Sequence, residues 1–540
     1  MHAFETVIAL LLVAVTLAAV ARRVGAPYPA LLALGGAVLA FVPGVPVFSI
    51  PPDLALALFV APVLLDAAYD ASPRDLKENW APVAGLVVVS VGLTTIAVAA
   101  VVRTMVPAMP WAAAVALGAV VAPPDATAAI AVLRQVKLPH RLLTILEGES
   151  LLNDATALLI YRLAVGAVVA SAFSIRAVAP AFLLAVAGSL VAGPVLAWLM
   201  LAVMKRVKDV PTAIILQFIT TFGVWIVAER AGLSGVLTMV CFAITASRSA
   251  PERTPARIRV PAYAVWDTVV FVLNVLAFVF IGLQIRPILT ALEPDRRALY
   301  FEVAGAVLLT VILVRVAWVM THNAALRWRI RRLGFHPPRP TLPPSVRTGL
   351  VVSWSGMRGI VSLAAALALP MQAGDGPFPF RDLIVFTAFS VVLGTLVIQG
   401  LTLRPLLQVL DLHDDDPVGR EVELARERAL QAALATLDGD RSPMAEAVRE
   451  ELATHLEQVP AEADEGRARR SAHAAMHRSA IAEARRTVFE MRAKGDIGDA
   501  AFHRLEEEFD WVELGSGARG EGESRPVASA APVPESEGSS

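Results

Sequence analysis

For about four hundred residues this chain repeats one unit, an apolar run near twenty residues long followed by a short charged loop. About 20 apolar residues span a hydrocarbon layer as a helix, and lipid offers no partner to an unpaired backbone amide. An all-α polytopic membrane protein is the fold class that follows. The runs number about thirteen by that length criterion, near 4–21, 28–43, 54–69, 82–102, 110–133, 142–172, 177–204, 211–229, 232–247, 263–285, 299–321, 346–369 and 382–408. The second, third and ninth are short.

Alternate loops should carry the Lys and Arg if this count is right. One set holds nineteen, from Arg22 and Arg23 through Arg134, Lys137 and Arg141 to Arg327, Arg329, Arg331, Arg332 and Arg339. The other holds seven: Arg103, Arg176, Arg230, Arg286, Arg296, Arg297 and Arg381. A missed span would scramble the alternation beyond it, so an odd number of crossings is expected, with the N-terminus outside and the C-terminus cytoplasmic. The first run lacks a preceding basic region and a following small-residue cleavage site, which argues for a retained helix over a cleaved leader.

Composition changes sharply near residue 410. Residues 1–410 form the membrane domain, and 411–515 are dense in Glu, Arg and Ala at helical spacing. Helices are expected over 417–437, 442–458, 466–493 and 498–512, either as a solvated appendage or as a regulatory domain. Residues 516–540, rich in Gly, Ser, Pro and Glu, are expected to be disordered. The tail has no nucleotide or metal motif, and neither a cofactor nor a nucleic-acid partner is expected. The one cysteine, Cys241, lies in an apolar run and reads as an inert buried thiol.

A charge at mid-bilayer costs at least about 2.5 kcal/mol, so it normally faces a cavity and acts there. The sixth run carries Glu147-Gly-Glu149-Ser150-Leu-Leu-Asn153-Asp154. Ser150 and Asp154, four apart, share a helix face, and Glu149 and Asn153 share the neighbouring one. Carboxylate, hydroxyl and amide oxygens converging there are hard ligands that suit a small cation or a proton. Two Glu and one Asp within eight positions are too costly to serve only as helix glue. In the fifth run, Val121-Ala-Pro123-Pro124-Asp125 removes two backbone donors and interrupts the helix. Interrupted helices at mid-membrane expose carbonyls and dipole ends to ions. In the twelfth, Ser353-Trp-Ser355-Gly356-Met-Arg358-Gly359 loosens the helix around an Arg that needs a partner. Two interruptions at corresponding places suggest an inverted repeat. Asp66 lies late in the third run, either in a cytoplasmic funnel or at a helix end. Arg315, inside the eleventh, either snorkels or pairs with Glu302.

The run Glu147–Asp154 resembles a signature of the first monovalent cation:proton antiporter family, the sodium/proton exchangers. So do Trp354-Ser-Gly356-Met-Arg358-Gly359-Ile-Val-Ser362 and Phe271-Val-Leu-Asn274-Val-Leu-Ala-Phe278-Val-Phe-Ile281-Gly282. The resemblance implies a homodimer in membrane lipid, a scaffold of spans 1–3 and 7–10, and a moving core of spans 4–6 and 11–13. It implies that Asp154 exchanges Na⁺ for H⁺, with Asp154 and Ser150 as the cation's side-chain ligands. Backbone near Pro124 completes the shell, Asp125 stands nearby, and Glu149 pairs with Arg358 to position Asn153. Asp66 occupies the place of a family Glu, and Asp125 follows Pro123-Pro124 where many members have Thr-Asp-Pro. Potassium/proton exchange would use the same residues. A channel has no need of two matched interruptions, an intramembrane protease would need its own Gly-x-Gly-Asp motif, which is absent, and a sensor on this fold would signal through the tail.

Overall fold

Backbone amides in an apolar segment are satisfied within the segment only by helix formation, and among the described residues of the computed structural model the regular structure is helical apart from one hairpin, Gln372–Ala373 against Gly376–Pro377. It describes residues 2–457 except 25, 44–49, 134–137, 170–174, 293, 334–344, 374–375, 413–416 and 440–441, together with scattered residues between 483 and 505. The chain divides into two compact units, Met1–Asp415 and Asp416–Ser540.

In the first unit the helices are α1 (His2–Val24), α2 (Tyr28–Leu39), α3 (Pro52–Asp70), α4 (Pro73–Glu78), α5 (Trp80–Met105), α6 (Trp111–Val121), α7 (Ala126–Leu133) and α8 (His140–Val169). There follow α9 (Ile175–Met204), α10 (Val210–Arg230), α11 (Gly235–Arg253), α12 (Ala256–Leu283), α13 (Ile285–Ala291), α14 (Arg297–Leu333), α15 (Val346–Trp354), α16 (Ile360–Leu367) and α17 (Arg381–Leu410). Helix occurs in every predicted span, and eight of the described helices are long and apolar enough to cross a membrane. α14 outruns its predicted span: its 37 residues carry helix on through Arg327–Arg332, which the loop count had placed in a connection. Arg and Ala are strong helix formers, so loss of hydropathy there does not end the helix.

Packing falls into two groups. α2 lies along α12, and α9 and α3 lie against α11. The backbones of α2 and α12 touch at Gly36 and Gly282, where a Cβ would run into the carbonyls of Val279 and Ala33. Small residues of this kind let membrane helices approach closely. In the other group α6 is sandwiched by α5 and α8, while α14 packs on α5, α15 and α17.

Between α9 and α10 the chain turns at Asp209, whose carboxylate caps α10 by accepting from the Thr212 amide at 3.0 Å. Bonds from the Thr212 hydroxyl and amide hold this exposed acid below the ordinary Asp value. A lowered acid contributes stability that is complete above its unfolded value and is lost as pH falls through the folded one. The protection of the Thr212 amide from hydrogen exchange, taken relative to its intrinsic rate at each pH, should therefore fall on acidification through that window, and Asp209→Asn should abolish the dependence.

In the second unit, α18 (Pro417–Ala435) and α19 (Pro443–Glu457) fall within the first two expected tail helices. The helices expected over 466–493 and 498–512 lie largely outside the described residues, and 516–540 wholly so.

Candidate functional site: two interrupted helices around Asp154

The double proline stops α6 at Val121, and the chain resumes as α7 at Ala126. The second interruption, Ser355–Gly359, separates α15 from α16. At its approach the hydroxyls of Ser353 and Ser355 donate to the carbonyls of Gly349 and Val351, four residues back, a pattern that loosens helices.

The two interruptions exchange partners. In an unbroken helix the Val121 carbonyl would accept from the amide of Asp125. Here the Asp125 amide donates to the Met357 carbonyl at 2.6 Å, and the Val121 carbonyl accepts from Arg358 Nε at 3.0 Å. Arg358, 1 % exposed, also donates to the carbonyls of Ala122 (3.3 Å) and Gly356. One cation thus caps the C-terminal ends of both α6 and α15, where helix dipoles are negative. Asp125 does the converse. Its Oδ1 accepts from the Thr127 amide (2.8 Å) at the start of α7, and its Oδ2 lies against Gly359 at the start of α16. A Cβ at Gly359 would collide with that carboxylate. Gly359→Ala should therefore displace Asp125, lower stability by about 1–3 kcal/mol and cut activity, as a thermal melt paired with a flux assay would read.

α8 brings the remaining groups to this crossing. Asn153, fully buried, donates to the Pro124 carbonyl at 2.6 Å, and its Oδ1 has no hydrogen-bond partner among the described residues. Glu149 does not pair with Arg358, as expected from the resemblance, but with Arg315 of α14. Its oxygens accept from both terminal nitrogens at 2.5 and 2.8 Å, and both side chains are 2 % exposed. Arg315 also donates to the Val352 carbonyl on α15 (3.0 and 3.2 Å) and lies where a Cβ on Gly356 would be. It neither snorkels nor pairs with Glu302. The reason for the exchange is geometric. Arg358 sits among helix-end carbonyls that satisfy its donors, whereas Arg315 turns both terminal nitrogens to the carboxylate and leaves the Val352 carbonyl to Nε and a shared terminal nitrogen, the bidentate arrangement a buried pair requires. The Arg358 amide is itself held by Thr395 Oγ1 of α17 at 3.0 Å, a contact with no prior signal in the sequence.

Asp154 stands apart from this network. It is half-buried, within electrostatic reach of Asp125, and no hydrogen bond or ion pair reaches its carboxylate among the described residues. Ser150, one turn earlier on α8, is half-buried too. Asp66 lies on the last turns of α3, also half-buried, and that segment packs against α8. Ahead of it Pro62 withholds an amide, and the helix widens into a π-turn over Leu56–Val60.

A family model, the transmembrane domain of the sodium/hydrogen exchanger, matches residues 8–409. The chain belongs to the sodium/hydrogen exchanger family. Like other exchangers of that family it is a multi-pass membrane protein. A sodium, potassium, lithium and rubidium/H(+) antiporter of Bacillus pumilus is 32% identical over 418 residues, covering 75% of this chain and 61% of that protein. The Na(+)/H(+) exchanger Rv2287 of Mycobacterium tuberculosis, itself uncharacterised, is 33% identical over 446 residues, 81% of this chain and 79% of its own. The chain spans about three fifths of the length of the two Bacillus antiporters it matches. Among solved structures, the sodium proton antiporter MjNhaP1 from Methanocaldococcus jannaschii at pH 8 shares the fold, with TM-score 0.55 at 17% identity over 76% of this chain and 99% of that one.

Proposed function

We propose that this exchanger is a secondary antiporter that moves Na⁺, or in its place Li⁺ or K⁺, against H⁺ across the inner membrane by competition at Asp154. The carrying observation is that Glu149 is bound to Arg315 and Asp125 to helix starts, while Asp154 keeps a carboxylate that no hydrogen bond or ion pair occupies among the described residues. Burial penalises the charged form of such an acid, so either a proton or a cation is favoured as its neutraliser, and loading one expels the other. Among the described residues no three His, Cys, Asp or Glu side chains converge. In this reading the transported cation is held by the Asp154 carboxylate with neutral oxygens: Ser150, the backbone at Pro124 and water, with Asp125 behind them. Asp66 serves the cytoplasmic approach. One such carboxylate neutralised by one ion gives one-for-one, electroneutral exchange.

Alternating access follows from an elevator-like movement of the group carrying α5–α8 and α14–α17 against the group of α1–α3 and α9–α12. Thirteen crossings, N-terminus outside and C-terminus cytoplasmic, fit the charge alternation, and two copies share the membrane as a homodimer. Potassium/proton exchange is the second reading, favoured by the cations in the Bacillus relative's name. The test is dye-reported proton release from inside-out vesicles on adding Na⁺, K⁺ or Li⁺. Cation-driven release supports antiport and its order ranks the cargo; none from folded protein at any pH from about 6 to 9 rejects it.

A further inference from the structure

Two turns beyond Asp154 on α8, Arg162 donates to both oxygens of Glu229 on α10, at 2.7 and 3.0 Å. Asp154, Leu158 and Arg162 follow one another at four-residue intervals, so they run up one side of α8 over about 12 Å. Glu229 is held in place without Arg162. Its Oε1 accepts from the Gly235 amide at 3.1 Å, at the start of α11, beyond a tight turn in which Gly232 takes φ +70°. A Cβ at Gly235 would come within 2.9 Å of that oxygen and 3.1 Å of Trp225. The acceptor is thus fixed to the α10–α11 hairpin, and the guanidinium arrives from the helix that carries the exchange site.

We propose that Arg162 and Glu229 form a latch between α8 and the α10–α11 hairpin, closed in one access state and open in the other. The inference rests on the antiport reading, because it requires α8 to move relative to the hairpin. Axial movement of α8 by a few ångströms breaks both hydrogen bonds, since neither survives much beyond 3.5 Å. The pair is built to break. The Arg162 side chain is 51% exposed and Glu229 34%, so protein does not enclose this pair as it encloses Glu149 and Arg315, each 2% exposed, and the two groups have room to part. A strong buried pair there would arrest the cycle in one state, whereas a weak one biases the two states without locking either. Glu229 ends its span, where a charge ordinarily passes for a flanking residue, whereas Arg162 lies seven residues inside the C-terminal end of α8.

The test reads accessibility. In a Cys241→Ser background, Leu158→Cys places a thiol between the exchange site and the latch. An impermeant maleimide is added to right-side-out and to inside-out vesicles in parallel. Glu229→Gln keeps an acceptor for the Gly235 amide and discards the charge, so the hairpin should fold unchanged. It should raise labelling of the introduced thiol from the Arg162 face about two- to fivefold, the range a weak surface pair can shift an equilibrium. The swap Arg162→Glu with Glu229→Arg should bring labelling back to within about twofold of the parent if charge pairing sets it. Unchanged labelling in Glu229→Gln, or a folded swap that leaves labelling raised, overturns the latch. Labelling needs no transport. Proton release measured on the same vesicles therefore separates a failed latch, with exchange intact, from a failed antiport reading, with labelling still responsive.

Discussion

Asp154→Asn should abolish cation-driven proton release while leaving the melting temperature unchanged or raised. Asparagine has nearly the shape of aspartate but cannot exchange a proton, and it carries no charge to be neutralised by a cation. Most buried acids are costly to remove because a partner is left stranded. Asp154 has no hydrogen-bonded or ionic partner among the described residues, so its removal strands nothing and relieves the cost of burying a charge. Activity and stability should thus move in opposite directions, a signature of a site held at the expense of stability. Asp154→Glu keeps the carboxylate one methylene further out. It should retain measurable exchange with an altered order among Li⁺, Na⁺ and K⁺. Exchange persisting in Asp154→Asn would remove this residue from the ion pathway.

The converse holds for Glu149. Glu149→Gln or Arg315→Met leaves one member of a fully buried ion pair unmatched, which costs about 3–5 kcal/mol. Either should lower thermal stability well below that of Asp154→Asn. Because Arg358 lies near the same carboxylate, the partner is best identified by a double-mutant cycle. Glu149→Gln with Arg315→Met should be less destabilised than the sum of the singles by about 1 kcal/mol or more, as expected of directly bonded charges. Glu149→Gln with Arg358→Met should be nearly additive. The opposite pattern would return Glu149 to Arg358 and contradict the bidentate contact at 2.5 and 2.8 Å.

What could be read from the chain before its structure follows the physics of each feature. The helical segments were legible because a bilayer tolerates one secondary structure over such lengths. The interruption after Val121 was legible from Pro123 and Pro124, and that after Trp354 from Gly356 and Gly359 with two serines, since these act locally. Ion-pair partners were not. Glu149 and Arg315 are 166 positions apart, and two buried guanidiniums compete for one carboxylate. Spacing along the chain cannot say that Arg358 would be satisfied by the carbonyls of Val121, Ala122 and Gly356. Nor could it place Thr395 on the Arg358 amide, because a threonine in an apolar helix carries no mark of its partner. The end of α14 was misjudged for another reason: hydropathy reports where lipid stops, and helix propensity lets the backbone continue.

The exchange of partners at the crossing, Asp125 amide to Met357 carbonyl and Arg358 to the carbonyls of Val121 and Ala122, works as a gear. Neither interrupted helix can be displaced without dragging the other, because each holds bonds that the other's break left open. The half-helices on one side of the crossing therefore travel with those on the other. In the antiport reading proposed above, closing one mouth and opening the other become a single event, and a continuous aqueous passage is no stop along the way. An exchanger that must hold a proton gradient needs this ratchet-like property, and here it rests on one main-chain bond, Asp125 amide to Met357 carbonyl, and on the guanidinium of Arg358, a single side chain that spans both breaks.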